Sequence, residues 1–422
     1  MTAEPNAPVT PRRAALVFIF VTVLLDILAM GMIIPVLPRI VVGFLNGDTA
    51  RAAEVFGLFS TVWALMQFVF SPVLGALSDR FGRRPVILLS NFGLGLDYIL
   101  MALAPTLNWL FLGRVISGIT SASISTASAY IADVTPPEKR AASFGMIGAA
   151  FGVGFVLGPA LGGVLGDTDP RMPFWVSAAL SLANAMYGLF VLPESLPPER
   201  RKGFSWKRAN PVGALRLLRS NPEVLGLASV HFLYNLSHIA LPSVFVLYGS
   251  YRFGWSERTV GLTMAGVGFC SLIVQGGLVR PLVKRLGERR TLLMGLTFGM
   301  AGFVIYGLAP TSTLFWLGVP VMSLWGLFGP SSQGLMSSRI SASEQGQLQG
   351  ALSSLMGIAG MIGPGLFTQT LAYFIGPRLD WNLPGAPFLL AAGLLILAMG
   401  LAGRATRSRR EAAPLVTTTP TA

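Results

Sequence analysis

The chain has 422 residues, of which 53% are hydrophobic and only 12% charged, against about 25% charged in a soluble domain. That balance excludes a soluble enzyme, and a single cysteine, Cys270, excludes a disulfide framework or a cysteine-rich metal site. The net charge of +13 is not a nucleic-acid signal, because the basic residues fall between apolar stretches instead of forming one face of a soluble domain.

Crossing a bilayer takes about 20 apolar residues. Segments of that kind recur twelve times, at about 14–42, 53–78, 86–105, 107–132, 141–166, 173–192, 223–249, 257–283, 290–309, 312–337, 347–375 and 385–403. The first is too long for a secretory h-region and lacks a small-residue cleavage site, so it reads as a retained span. The longest break, 196–222, is polar and basic and divides the chain into six-helix bundles at 1–195 and 223–404. Residues 405–422 read as a tail without fixed structure. The expected fold class is an all-α membrane protein of twelve helices in two pseudo-symmetric bundles. Basic residues favour the side holding both termini and the central linker by roughly fourfold, which places that side in the cytoplasm.

The halves repeat at a fixed offset of 205 residues: Gly82 matches Gly287, Gly145 matches Gly350, and Gly158-Pro159 matches Gly363-Pro364. Duplicated halves are a common plan for secondary transporters, with the substrate site near the midplane between them. The copies differ in charge. Asp79 becomes Lys284, Arg83 becomes Glu288, and Arg114 becomes Val319, so the polar machinery sits in the first half.

Charges inside spans are costly and mark function. Asp26 in the first span is a candidate proton carrier, a polar contact between helices being the plainer alternative. Asp97, beside Tyr98 in the third span, and Arg114 in the fourth are the other two intramembrane charges. Arg114 needs an acidic or carbonyl partner, and the sequence leaves open whether Asp26 or Asp97 supplies it. Gly75-Ala-Leu-Ser-Asp79-Arg80-Phe-Gly82-Arg83-Arg84 is a short, charge-dense loop between the second and third spans. With Asp133 at the end of the fourth span, it reads as a cytoplasmic latch in which Arg83 bridges the carboxylates. In the fifth span, Gly154, Gly158, Pro159 and Gly162 give one nearly bare helix face, suited to close approach and a bend. His231, Asn235 and His238 share a face of the seventh span, where packing competes with a cavity role. Gln67, Tyr98 and Gln275 are further candidates for cavity lining.

The loop 75–84 resembles the loop between the second and third spans of major facilitator superfamily transporters. Leu25-Asp26-x-Leu-x-x-Gly31-x-Ile-x-Pro35-x-Leu-Pro38, Asp97-Tyr98, Arg114 and Tyr130-Ile-Ala-Asp133 are similar to the drug/proton antiporter branch, and nearest to bacterial tetracycline-efflux proteins. The resemblance extends to Lys284–Arg290 and Glu344–Gly350, and the glycine-proline run is similar to the antiporter signature of exporters. It implies that Asp26, Asp97 and Arg114 serve proton coupling and substrate binding, and that Asp79, Arg83 and Asp133 serve gating. Tetracycline exporters also carry a histidine in the eighth span and an aspartate in the ninth, where this chain has Ser271 and Gly299. Coupling therefore falls to the first-half carboxylates.

No phosphate-binding loop and no His/Cys cluster is present, so an ATP-driven pump and a metal enzyme are set aside. The expected activity is proton-coupled export of amphipathic small molecules across a bacterial inner membrane, by a monomer without a cofactor. Import or facilitated diffusion of a small metabolite stays open within transport, and a membrane enzyme or receptor is the reading from another class.

Overall fold

A chain this apolar has no water to satisfy its backbone inside a bilayer, so its N–H and C=O groups pair within helices. The computed structural model describes residues 13–121, 123–201, 203, 218, 222–341 and 344–406. Most of the expected linker at 196–222 and nearly all of the expected tail at 405–422 lie outside the described residues.

In chain order the first half contains α1 (Arg13–Ile33), α2 (Leu37–Phe44), α3 (Thr49–Phe81), α4 (Arg83–Leu103), α5 (Leu107–Thr120), α6 (Ser123–Val134), α7 (Pro137–Thr168) and α8 (Met172–Val191). The second contains α9 (Pro222–Phe253), α10 (Glu257–Ile273), α11 (Val279–Leu308), α12 (Ser312–Ser323), α13 (Phe328–Ser337), α14 (Gln345–Ile375) and α15 (Ala386–Ala405). Proline and glycine set several boundaries. Pro35 falls in the turn dividing α1 from α2, because it has no N–H to continue the helix. Gly82 has φ 104° at the joint of α3 and α4. Its repeat partner Gly287 has φ 78°, interrupting α11 at the matching place. Both lie where only glycine is unstrained, so the offset of 205 is written into the backbone as well as the sequence.

Among the described residues, ten segments are long and apolar enough to span a membrane. Two places separate this from the twelve expected spans. The expected fourth span is described as two helices, α5 and α6, on either side of residue 122, which lies outside the described residues. The expected eighth and ninth spans form one helical run, Glu257–Leu308, in which Gly287 alone leaves helical geometry. That run also holds a π-helical turn at Val274–Leu278, and a 3₁₀ turn at Leu324–Leu327 joins α12 to α13.

In the first half α1 packs on α7 and α8, α4 on α5 and α8, and α3 on α5. In the second, α9 packs on α14 and α15, α11 on α12 and α15, and α10 on α12. The 205-residue offset carries each first-half pair onto a second-half pair. The two most extensive contacts between halves are α3 with α14 and α7 with α10, which the same offset exchanges, and α9 also touches α2 and α3. Large apolar side chains such as Leu89, Phe190, Leu317 and Leu397 stay exposed on the outside, as a hydrocarbon environment permits.

Candidate functional site

Asp26 lies midway along α1 and is buried. The side-chain amide of Asn184 on α8 donates to its Oδ1 at 3.0 Å and to the Thr22 carbonyl at 3.1 Å. Asp97 on α4 is 1% exposed, and neither of its carboxylate oxygens has a hydrogen-bond partner among the described residues. Its Oδ1 sits 3.0 Å from where a Cβ on Gly113 would stand, so the missing side chain of Gly113 makes room for it. Arg114 follows on α5. Its guanidinium carbon lies 5.2 Å from the Trp63 ring centroid, a cation–π contact supplied by α3, and Asp97 and Tyr98 are in electrostatic contact with it. Tyr98, also buried, feels both Asp97 and Asp26. The structure thus gathers Asp26, Asp97, Tyr98 and Arg114 inside the first half, with Asn184 and Trp63 as partners. A carboxyl in such a place either finds a cation or takes up a proton, and Asp97 has the first option in Arg114.

The charged loop is assembled around Arg83. Its Nη1 is 2.6 Å from Asp79 Oδ1 and donates to Ser78 Oγ at 2.6 Å, and its Nε is 3.1 Å from Asp133 Oδ2. Ser195 Oγ donates to the same Asp133 oxygen at 3.2 Å. Glu194 caps the start of α4, accepting from the backbone N–H of Arg83 at 2.8 Å and of Arg84 at 3.3 Å. A carboxylate at that position also gains from the helix dipole. Arg84 Nη2 donates to the Leu189 carbonyl at 2.6 Å, and Arg80 lies over the ring of Phe81. Asp79, Arg83, Asp133, Leu196 and Arg200 line a cavity of ≈ 380 Å³. The described partners of Arg83 all belong to the first half and the segment after α8, so the bridge ties that half to itself.

On α7, Gly154, Gly158 and Gly162 face α1. A Cβ on Gly158 would stand 2.9 Å from the Gly31 Cα, and one on Gly154 2.8 Å from Ile27 Cγ2. The bare face therefore lies against the helix that carries Asp26. Gly163, on another face, meets α10: its Cβ would stand 2.9 Å from the Gly261 Cα. The same helix thus touches both halves. Pro159 is inside it.

Contact between the halves runs from one end to about mid-helix, where Gly357 lies against Phe68 and Gly152 against Leu272. Nearer that end Gly268 lies against Val156, Gly376 against Ala50 and Gly360 against Ala64. An ion pair crosses here too: Arg39 Nε on α2 is 2.7 Å from Glu257 Oε1, whose residue is 6% exposed in the first turn of α10. At the other end no described atom lies within 4 Å of a Cβ placed on Gly75, Gly145, Gly148, Gly276, Gly277 or Gly346.

The second half offers rings instead of charges. His231 stands at the repeat position of Asp26, and its ring centroid is 6.1 Å from that of Tyr234, which is 6.5 Å from that of His238. Tyr234 stacks on Phe328 at 4.1 Å and tilts against Trp325 at 4.8 Å. His238 is exposed, whereas Asn235 spends its amide on the His231 carbonyl of its own helix at 2.8 Å. Gln67 donates to Ser121 Oγ at 3.2 Å, at the break between α5 and α6. Gln275 is exposed in the π turn. Gly299 is filled from outside: a Cβ there would stand 2.5 Å from Trp325 Cδ1. The place of the ninth-span aspartate is therefore closed to any side chain by the Trp325 indole.

Sequence reasoning missed Asn184, Trp63, Glu194 and the Arg39–Glu257 pair. Asn184 gave a weak signal, as an amide inside an apolar span. Trp63 and Arg39 gave none, since each acts only through a residue remote in sequence.

The sequence matches the Major Facilitator Superfamily over residues 19–364. It is 37% identical over 398 residues to the class C tetracycline resistance protein of Escherichia coli, covering 94% of this chain and 98% of that one. It is 37% identical over 374 residues to the class G protein of Vibrio anguillarum, covering 87% and 93%. Among solved structures, the human organic anion transporter MFSD10 (TETRAN) superposes with a TM-score of 0.68 at 25% identity, over 93% of this chain and all of that one. A bacterial homologue of the human lysosomal transporter Spinster, in an inward-facing and unoccupied conformation, superposes with a TM-score of 0.75 at 18% identity, covering 97% and 99%.

Proposed function

Because the chain belongs to the Major Facilitator Superfamily, we propose that it exports amphipathic, drug-like small molecules in exchange for protons. It does so by alternating access between two six-helix halves, at 1–195 and 223–404. The observation that carries the coupling is the group of Asp26, Asp97 and Arg114 enclosed in the first half. Tetracyclines are the first compounds to test, given the named relatives.

Twelve spans follow if α5 with α6 counts as one and the run Glu257–Leu308 counts as two, divided at Gly287. An odd or reversed count would also break the charge bias that puts both termini and the 75–84 loop in the cytoplasm of a bacterial inner-membrane protein. On that orientation the separated end is cytoplasmic and the closed end, with Arg39 and Glu257, is external. The conformation is then inward-facing, in keeping with the likeness to the inward-facing Spinster homologue. The network around Arg83 serves gating from the open side. Its role is to hold the α3–α4 joint, Asp133 and the segment after α8 as one piece, and the transporter works as a monomer.

Protonation drives exchange if proton and substrate compete for the same carboxylates, since linkage is reciprocal. Adding tetracycline to purified protein in weakly buffered solution should release protons, and the release should vanish in Asp97→Asn. Proton uptake on binding would instead favour a symporter.

A further inference from the structure

Asn184 is 1% exposed on α8 and meets Asp26 from the side away from the second half, where α1 and α8 pack. Its Nδ2 spends both hydrogens, one on Asp26 Oδ1 and one on the Thr22 carbonyl one turn earlier on α1. Its Oδ1 is buried and has no partner among the described residues. The hydroxyls of Thr22 and Ser181, on the same two helices, are also buried without partners. A buried polar atom left unpaired is costly, and three on one seam need an explanation.

We propose that Asn184 positions the Asp26 carboxyl and follows its protonation by turning its side-chain amide. With Asp26 ionised, Nδ2–H donates to the carboxylate, as observed. When a proton adds to the carboxylate, the new O–H needs an acceptor, and the amide turns so that Oδ1 receives it. The two ends of an amide have nearly equal size, so the turn asks little of the packing around it. The Thr22 carbonyl loses its second donor but keeps its helical one, and the Thr22 and Ser181 hydroxyls offer acceptors to the turned Nδ2. Asn184 is thus a positioning residue that touches the proton-carrying group in both of its states.

Around Asp26, α7 presents glycines, α6 presents Tyr130, whose hydroxyl donates to the Pro193 carbonyl, and α4 presents Tyr98 with Asp97 behind it. Arg114 on α5 lies over Trp63 and within electrostatic range of Asp97. Asn184 donates to Asp26 and carries an idle acceptor on the same side chain.

The inference rests on the reading of Asp26 as a proton carrier, and infrared titration of the purified protein in lipid nanodiscs separates the two. The Asp26 carboxyl band is assigned by its loss in Asp26→Asn. Asn184→Leu keeps the volume but removes donor and acceptor. Its Asp26 midpoint should move to higher pH by about one unit, tenfold in proton affinity, because the charge-assisted bond to the carboxylate is stronger than the neutral bond lost from the protonated form. Its protonated C=O band should also rise in frequency, because the O–H has lost its acceptor. Asn184→Thr, which keeps a hydroxyl able to donate and accept, should return the midpoint towards wild type. If Asn184→Leu does not fold, the wild type still decides: the Asn184 amide band, identified by its loss in Asn184→Thr, must change with the same midpoint as Asp26. An amide band blind to that titration, or an unmoved midpoint in folded Asn184→Leu, overturns the inference alone. A wild-type protein in which Asp26 shows no titrating band overturns the proton-carrier reading and this inference with it.

Discussion

Removing the ion pair at the closed end should open it. Arg39 Nε is 2.7 Å from Glu257 Oε1, the Glu257 side chain is 7% exposed and that of Arg39 is 42% exposed. Truncating one partner of a fully buried pair costs about 3–5 kcal/mol, mostly from the stranded charge. Arg39 is open to screening, and Glu257 at a helix start keeps some help from the dipole, so about 1–2 kcal/mol is the better expectation. That cost falls on the state in which α2, α7 and α10 meet, because once they part Glu257 is hydrated. Arg39→Ala should therefore shift the ratio of outward-open to inward-open molecules by roughly 5- to 30-fold. Spin labels at the exposed positions Asp167 and Arg258, on opposite sides of the α7–α10 contact, should report a longer distance in Arg39→Ala and Glu257→Gln, measured by pulsed electron resonance. The charge-reversed double variant, Arg39→Glu with Glu257→Arg, should recover part of the short distance. Raising salt should lengthen the wild-type distribution, since the Arg39 head is within reach of counterions. Distance distributions identical to wild type in both single variants at low salt would refute the reasoning.

Asp97→Asn should abolish gradient-driven transport while leaving the protein folded, because its oxygens have no hydrogen bonds to lose; size-exclusion and transport assays together check this. Glu194→Ala removes the cap shared by Arg83 and Arg84 and should cost about 1 kcal/mol, read as a lower thermal midpoint. Gly299→Asp should destabilise by about 1–3 kcal/mol through overlap with Trp325, and that penalty should largely disappear when it is introduced into the Trp325→Gly background, a coupling that a double-mutant cycle measures. Gly158→Leu should block transport and lower stability, since even a Cβ there stands 2.9 Å from the Gly31 backbone.

Helix positions were legible because apolar length and basic loops are strong signals in lipid. The repeat was legible because Gly82 and Gly287 hold a backbone geometry that other residues strain to reach. Arg83, Asp79 and Asp133 could be joined from the sequence, since two of them share one loop and the third ends the next span but one. Arg114 could not be assigned a partner: Asp97 comes into its electrostatic range in the room left by Gly113, which depends on how α4 and α5 pack. The expected bridge from Arg83 to Asp79 and Asp133 is formed, and all the described partners of Arg83 lie within the first half. The cross-half pair is instead Arg39–Glu257, 218 residues apart, and sequence spacing carries no information at that range. The π-helical turn at Val274–Leu278 was equally invisible, since its residues are as apolar or small as those around them.

Proton-coupled export through the first-half carboxylates is tested most directly in proteoliposomes with an imposed pH gradient and labelled tetracycline, comparing wild type with Asp26→Asn and Asp97→Asn. The account predicts uphill accumulation in the compartment that is acidic, abolished by a protonophore and absent from both variants. Accumulation that survives the protonophore, persists in both variants, or runs towards the alkaline compartment would contradict it.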